Sequence, residues 1–338
     1  MTTEDFTTIE IDESVVCHVT DTVSSEAEDG LKLFVQQWKP TTTTTTTAAN
    51  LILVHGYLEH SGRYAEFAKY IVMKSSSRRQ PIVVTAYDLR GHGQSDGRRA
   101  YVSTYQDYHH DLESVLLYVK GQQPHDSKSI PSFVLGHSNG GMVASLHYAC
   151  DFANDDDNNN NNNKKIVKNN PIVETATPID GLILVSSFIA PADELSWIKV
   201  LLAQFLGYLL PKLSLDAELD TNNLMHDTRK RQDHKNDKQV QSHFTLGWGR
   251  LSMTEQAKAQ HITQVKVPAL LYIYATHDKV ANPTKLATQS QRIEPVKNKD
   301  GIVDKTVLVR KGEYHEVLNE IQRQETYDAI LEWIQKRI

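Results

Sequence analysis

The sequence predicts an α/β fold: a mostly parallel sheet of about eight strands with helices on both faces, broken late in the chain by a helical insertion. Three patterns predict it. Short β-branched runs alternate with amphipathic helical stretches, the alternation that buries a parallel sheet between two helical layers. From the third run onward the strands are almost wholly apolar, as strands covered on both faces must be. Residues 191–261 then suspend the alternation and read as helix and loop, so they are expected to form a lid over the sheet.

The strands are expected at 15–20, 31–38, 51–55, 82–87, 132–135, 182–186, 269–275 and 305–310. The first two alternate, as in Leu31, Leu33 and Val35, which suits an antiparallel hairpin at the sheet edge. Tyr108, Leu112, Val115, Leu116 and Val119 recur at the helical period and predict a helix over 108–120 with one stripe against the sheet. Ile321, Tyr327, Ile330, Leu331 and Ile334 predict a docked C-terminal helix in the same way. Two segments are compositional: the threonines of 41–47, and 154–165 with its aspartates and asparagines. Neither buries enough apolar surface to offset ordering entropy, so both are expected as surface loops. The expected organisation is one core, 1–190 and 262–338, carrying the lid 191–261.

The chain has 338 residues, 39% hydrophobic and 23% charged, which is ordinary for a soluble globular protein. Its 36 basic and 42 acidic residues leave a net charge of −6 with no basic block, which argues against nucleic acid as a partner. Cys17 and Cys150 are too few for a disulfide framework or a zinc site and are expected as free thiols in a reducing compartment. The acidic N-terminal stretch lacks a basic and then apolar leader, and no apolar run is long enough to span a membrane. A cytosolic location follows as the expectation, with peripheral contact to a lipid surface compatible with it.

Gly136-His137-Ser138-Asn139-Gly140 follows an apolar strand and opens a helical stretch, MVASLHYAC, which is the setting of a G-x-S-x-G nucleophile elbow. Small residues flank the serine because the turn is tight and strains its backbone. A serine hydroxyl needs a base to take its proton and a carboxylate to orient that base. Asp278 and His315 each follow a strand's carboxyl end, the side on which sites of open parallel sheets are built. His277 competes for the base, and Glu313 and Asp304 for the acid. The developing oxyanion needs backbone amides, expected from Asn139 after the nucleophile and from Tyr57 after the third strand.

The blocks HGYLEHSGRY at 55–64, DLRGHGQSDG at 88–97, GHSNGG at 136–141, THD at 276–278 and GEYHE at 312–316 resemble the monoglyceride lipase and lysophospholipase group of the α/β-hydrolases. The resemblance covers residues 30–337 outside the two compositional segments. It implies the α/β-hydrolase fold, the chain order Ser138, Asp278, His315, and hydrolysis of a single-chain lipid ester such as monoacylglycerol without metal or cofactor. It also implies that Glu59, His60 and Arg63 lie near the polar end of the site. Asn139 departs from the group, which often carries methionine or another larger side chain there, and the lid lacks the cysteines of some relatives.

Residues 196–210, SWIKVLLAQFLGYLL, leave only Ser196, Lys199, Ala203 and Gly207 on a narrow stripe of a helical wheel. The wide apolar arc is expected to line an acyl path on its inner side, through Leu201 and Phe205, and to meet lipid on its outer side, with Trp197 and Tyr208 at headgroup level. His137, beside the nucleophile, is a further expected substrate contact. The charged stretch DTRKRQDHKNDKQ after it reads as a solvated loop. The expected function is that of a monoacylglycerol hydrolase acting through an acyl-enzyme on Ser138. The alternatives are a lysophospholipase, a general carboxylesterase, an amide-cleaving serine aminopeptidase, or a non-catalytic lipid-binding protein of the same fold.

Overall fold

A computed structural model describes residues 7–27, 29–41, 46–123, 129–153, 171–192, 197–217 and 219–338. Most of the threonine run and all of 154–165 lie outside these residues, as do Ser196 and the side chains of 197–200 and 202.

Eight strands form the main sheet: β1 (Val16–Ser24), β2 (Lys32–Pro40), β3 (Ala49–Val54), β4 (Ile82–Tyr87), β5 (Ser132–His137), β6 (Gly181–Val185), β7 (Ala269–Ala275) and β8 (Asp304–Arg310). Their spatial order is β1-β2-β4-β3-β5-β6-β7-β8. β1 pairs antiparallel with β2 and β2 with β4; every later pairing is parallel. The antiparallel start and the eight expected strands are thus both present. β4 lies to one side of β3 and β5 to the other, so the winding direction changes between β3 and β5. A crevice opens at the carboxyl ends of strands where that reversal occurs.

Alternate residues of each strand feed two cores. Leu51 and Leu53 face α1 (Ala65–Ser77) and the C-terminal helix, whereas Ile52 and Val54 face α2 (Gln106–Gly121) and α3 (Asn139–His147). Tyr108, Leu112 and Val115 of α2 pack in the second core, as their spacing predicts. α3 ends earlier than expected: Ala149–Phe152 is extended and joins Ile262–Val265 and Glu294–Pro295 in a small separate sheet.

Between β6 and β7 the chain forms α4 (Trp197–Leu209), α5 (Thr228–Asn236) and α6 (Leu246–Gln260), with a ribbon of Ser214–Asp216 and His243–Thr245. The core then closes with α7 (Pro283–Arg292) and α8 (Arg323–Gln335). No helix among the described residues is long and apolar enough to cross a membrane.

Two expectations for the insertion are corrected. The charged stretch is not a loop, because residues 228–236 form α5. The Asp227 carboxylate accepts hydrogen bonds from the Arg229 and Lys230 amides at its start and pairs with Arg323 on the core. The helix α4 also faces the opposite way to its expected orientation. Its small-residue stripe is the packed side: a Cβ on Gly207 would lie 2.6 Å from the Leu246 carbonyl oxygen of α6. Leu201 and Phe205, expected to line the acyl path, are 59% and 61% exposed. Close backbone approach at Gly207 sets this side of the helix against α6, and Leu201, Phe205 and Tyr208 turn outward.

Candidate active site

The turn after β5 builds the site. Ser138 adopts φ 52° and ψ −119°, left-handed for a residue with a Cβ, and caps α3. The turn closes so tightly that a Cβ on Gly136 would strike the Gly140 carbonyl oxygen, and one on Gly140 would strike that of Val54. Those contacts explain the glycines and hold the serine above the sheet at the positive end of α3.

Two loops from distant parts of the chain meet it. His315 Nε2 lies 2.8 Å from Ser138 Oγ, and His315 Nδ1 lies 2.7 Å from Asp278 Oδ2. The other Asp278 oxygen accepts from the Val280 and Ala281 amides at 2.8 Å each, which fixes the carboxylate in its turn. An ionised Asp278 accepts from Nδ1–H, leaving Nε2 free to accept the serine proton. All three residues are buried. Burial alone would push the His315 pKa down, but Asp278, with Glu316 and Glu59, outweighs it and raises the pKa above the usual imidazole value.

The competing residues lie elsewhere. Glu313 pairs with Arg310, Asp304 pairs with Arg337, and His277 is exposed with its Nδ1 beside Thr276 Oγ1.

The loop after β3 abuts the nucleophile: a Cβ on Gly56 would lie 3.1 Å from Ser138 Cβ. His55 braces that loop. Its Nε2 accepts from the Leu89 amide, so Nδ1 carries the proton and donates to the Gly56 carbonyl at 2.6 Å. Tyr57 stacks on Trp248 of α6 with ring centroids 3.4 Å apart, joining the loop to the insertion. Asn139 is the first residue of α3, where helical amides have no partner within the helix. Its side-chain oxygen accepts from the Tyr105 hydroxyl.

A cavity of about 420 Å³ opens over Ser138. Much of its lining is apolar, including Phe188, Leu219, Phe244, Trp248 and Met253. The lining also includes a charged cluster. Arg63 forks between Glu59 and the two Glu316 oxygens, with contacts of 2.5, 3.0 and 2.6 Å. Burial opposes both carboxylates, yet Arg63 holds the Glu316 pKa below its usual value and the Glu59 pKa well below. The second Glu59 oxygen accepts from the Gly56 amide and the Tyr64 hydroxyl, each at 2.6 Å. His137 also lines the cavity, held by Tyr64 and Glu59.

His60, expected with this group, does not line the cavity. Its ring turns away to Asp237 at 2.7 Å and caps the turn Ser61–Tyr64. Leu201 and Phe205 are likewise absent from the lining. Two titratable cavity residues escaped sequence reasoning, Glu316 and His234 of α5, as did the apolar lining. Glu316 had a signal in the GEYHE block, as the second counter-charge that a buried Arg63 requires. His234 had none, because nothing in a run of mixed charges marks which one turns inward. Burial, and then Arg63, lower the His234 pKa, so the ring is neutral at pH 7.

A model of the Hydrolase_4 family, described as serine aminopeptidase S33, matches residues 45–158 and 166–322. The chain belongs to this family. An uncharacterized abhydrolase domain-containing protein of Dictyostelium discoideum is 28% identical over 307 residues, 90% of this chain and 28% of that protein. The rat monoglyceride lipase is 35% identical over 188 residues, 55% of this chain and 50% of the lipase. The chain thus spans half or less of the length of these curated relatives. Among solved structures, a monoacylglycerol lipase from Paleococcus ferrophilus superposes with a TM-score of 0.67 at 23% identity, covering 90% of this chain and 99% of that one, a likeness of fold. Within the Hydrolase_4 family this chain therefore carries the α/β-hydrolase fold and a buried Ser-His-Asp hydrogen-bonded chain.

Proposed function

We propose that the protein hydrolyses monoacylglycerol to fatty acid and glycerol through an acyl-enzyme on Ser138. The observation that carries this reading is that Ser138 lines one cavity together with many apolar side chains and with a charged, hydrogen-bonding cluster. A single acyl chain fits the first and a small polyhydric alcohol the second. Ser138 attacks the ester carbonyl while His315 Nε2 takes its proton; the amides of Tyr57 and Asn139 receive the oxyanion. The same imidazole protonates the departing glycerol, then activates the water that releases the acid. His234 and the Glu59-Arg63-Glu316 cluster face the glycerol hydroxyls.

The lysophospholipase alternative is disfavoured by charge. Two carboxylates on one guanidinium leave this cluster net negative beside a neutral His234, a poor receptor for a phosphodiester. An aminopeptidase needs a free carboxylate for the substrate's ammonium group, and Arg63 already engages both. The outward face of α4, with Leu201, Phe205 and the 74%-exposed Tyr208, is our proposed contact with the lipid surface that supplies substrate. We assign the activity to the cytosol, where Cys17 and Cys150 stay reduced.

The test is a panel of monoacylglycerol, lysophosphatidylcholine and a p-nitrophenyl acetate, each with and without lipid vesicles. Monoacylglycerol is expected to be cleaved fastest, and more so with vesicles; preference for the short ester would refute the lipid assignment. The pH profile supplies a second check. Protonated His315 cannot accept the Ser138 proton, so kcat/KM is expected to rise with pH through an apparent pKa above the ~6.5 of free imidazole. An inflection below that value would count against His315 as the base.

A further inference from the structure

The lid helix α5 is held by polar ties and not by packing. His234 is the one residue of α5 that is buried, so no apolar stripe fixes the helix against the core. Its ties are Lys230 with Glu66 of α1 at 3.1 Å, Asp227 with Arg323 of α8 at 2.8 Å, and Asp237 with His60 at 2.7 Å.

The Asp227 carboxylate is buried and joins three parts of the chain. Its Oδ1 accepts from the Arg229 and Lys230 amides of α5, and its Oδ2 from Arg323 Nη1 and, at 3.0 Å, from the Thr7 amide. All four acceptor positions of the carboxylate are thereby filled. The Thr7 carbonyl oxygen accepts from Arg323 Nη2 at 2.5 Å, and the Thr7 hydroxyl donates to the Ile321 carbonyl oxygen at 2.6 Å. Two residues on, Ile9 is buried in the core that α1 and α8 share. Thr7 therefore grips the start of the lid helix and the segment between His315 and α8 at once.

We propose that Thr7 is a strap for the lid: it holds α5 on the core and so positions His234 in the catalytic cavity. A buried carboxylate that loses a donor keeps its desolvation cost and loses part of what offsets it, so the tie at Asp227 is sensitive to a single bond. His234 lies about two turns along the same helix from Asp227. With no apolar face to hold the helix, loosening at its start reaches the cavity residue. Thr7 does not line the cavity and is thus a positioning residue acting through α5. Only the kinetic consequence rests on the monoacylglycerol reading given above; the hold on α5 does not.

The experiment compares the whole wild-type chain with Thr7→Pro, which lacks both the amide and the hydroxyl, and Thr7→Val, which lacks the hydroxyl alone. Amide hydrogen exchange is followed by mass spectrometry, and KM and kcat are measured with monoacylglycerol. Thr7→Pro is expected to speed exchange across residues 228–236 by about tenfold while β5 and β7 keep their wild-type rates. Its KM is expected to rise by about three- to tenfold, with a smaller change in kcat. Thr7→Val is expected to fall between the two proteins on both measures. Wild-type exchange in α5 of Thr7→Pro overturns the proposal. So does exchange that quickens equally in β5 and β7, the mark of general destabilisation, and so does faster exchange in α5 with KM unmoved. A wild type inert toward monoacylglycerol refutes the function instead, and exchange then decides the strap by itself.

Discussion

Ser138→Ala is expected to lower kcat for monoacylglycerol by a factor of about 10⁴–10⁶ while leaving the melting temperature within a degree or two. The size of the loss follows from the route, not from binding. Without the hydroxyl no acyl-enzyme forms, and water would have to attack directly from a position the turn does not provide. The apolar cavity and the oxyanion amides remain, so KM should change little. The fold should hold because Ser138 makes its structural contacts through the backbone: its amide donates to Val185, and its carbonyl accepts from Met142 and Phe188. Asp278→Asn should cost about 10⁴ by a different path, presenting the wrong tautomer of His315 to the serine. Single-turnover assays and labelling with a fluorophosphonate probe check both. More than trace activity in pure Ser138→Ala protein would sink the assignment, and a wild type silent to the probe would revive a lipid-binding protein without turnover.

The chemistry of the site was legible wherever the sequence imposes it through backbone geometry. G-x-S-x-G is readable because the turn excludes a Cβ at Gly136 and Gly140, Asp278 because it follows the buried, apolar β7, and His315 because it follows β8, an edge strand with an apolar centre. Choices made by side-chain pairing were not legible. Glu313, two residues from His315, is removed from contention only by Arg310, which no local pattern reveals. α5 went unread for a related reason: it buries His234 but no apolar stripe, so its register depends on the Asp227 cap and the Arg323 ion pair. The orientation of α4 failed on an assumption that bulk turns inward. At Gly207 contact between helices is limited by backbone approach, and smallness marks the interface.

Arg63→Leu is expected to destabilise the protein by about 3–5 kcal/mol, because it leaves two buried carboxylates without a cation. Neither Glu59 nor Glu316 can relax into water, since both are buried, and among the described residues Asn319 is the only other side chain bonded to Glu316. The effect should reach catalysis through one bond. Glu59 accepts from the Gly56 amide, so the carboxylate that Arg63 holds ionised also fixes the loop bearing the Tyr57 amide. Loss of that charge should loosen the proposed oxyanion site and lower kcat more than it raises KM. Arg63→Lys should recover only part of both effects, because a lysine ammonium is a point charge and cannot fork to two carboxylates. The pH dependence carries the sign of the argument. In the wild type both carboxyls titrate below their usual range, so the cluster stabilises the fold at neutral pH and loses that contribution as pH falls through the depressed values. In the leucine variant the same carboxyls, buried and unpaired, bind protons at higher pH. The stability gap between the two proteins should therefore be widest near pH 7 and narrow toward pH 4.5. Thermal melts across that range measure it, and a gap independent of pH would mean that Arg63 acts by packing its stem and not by charge.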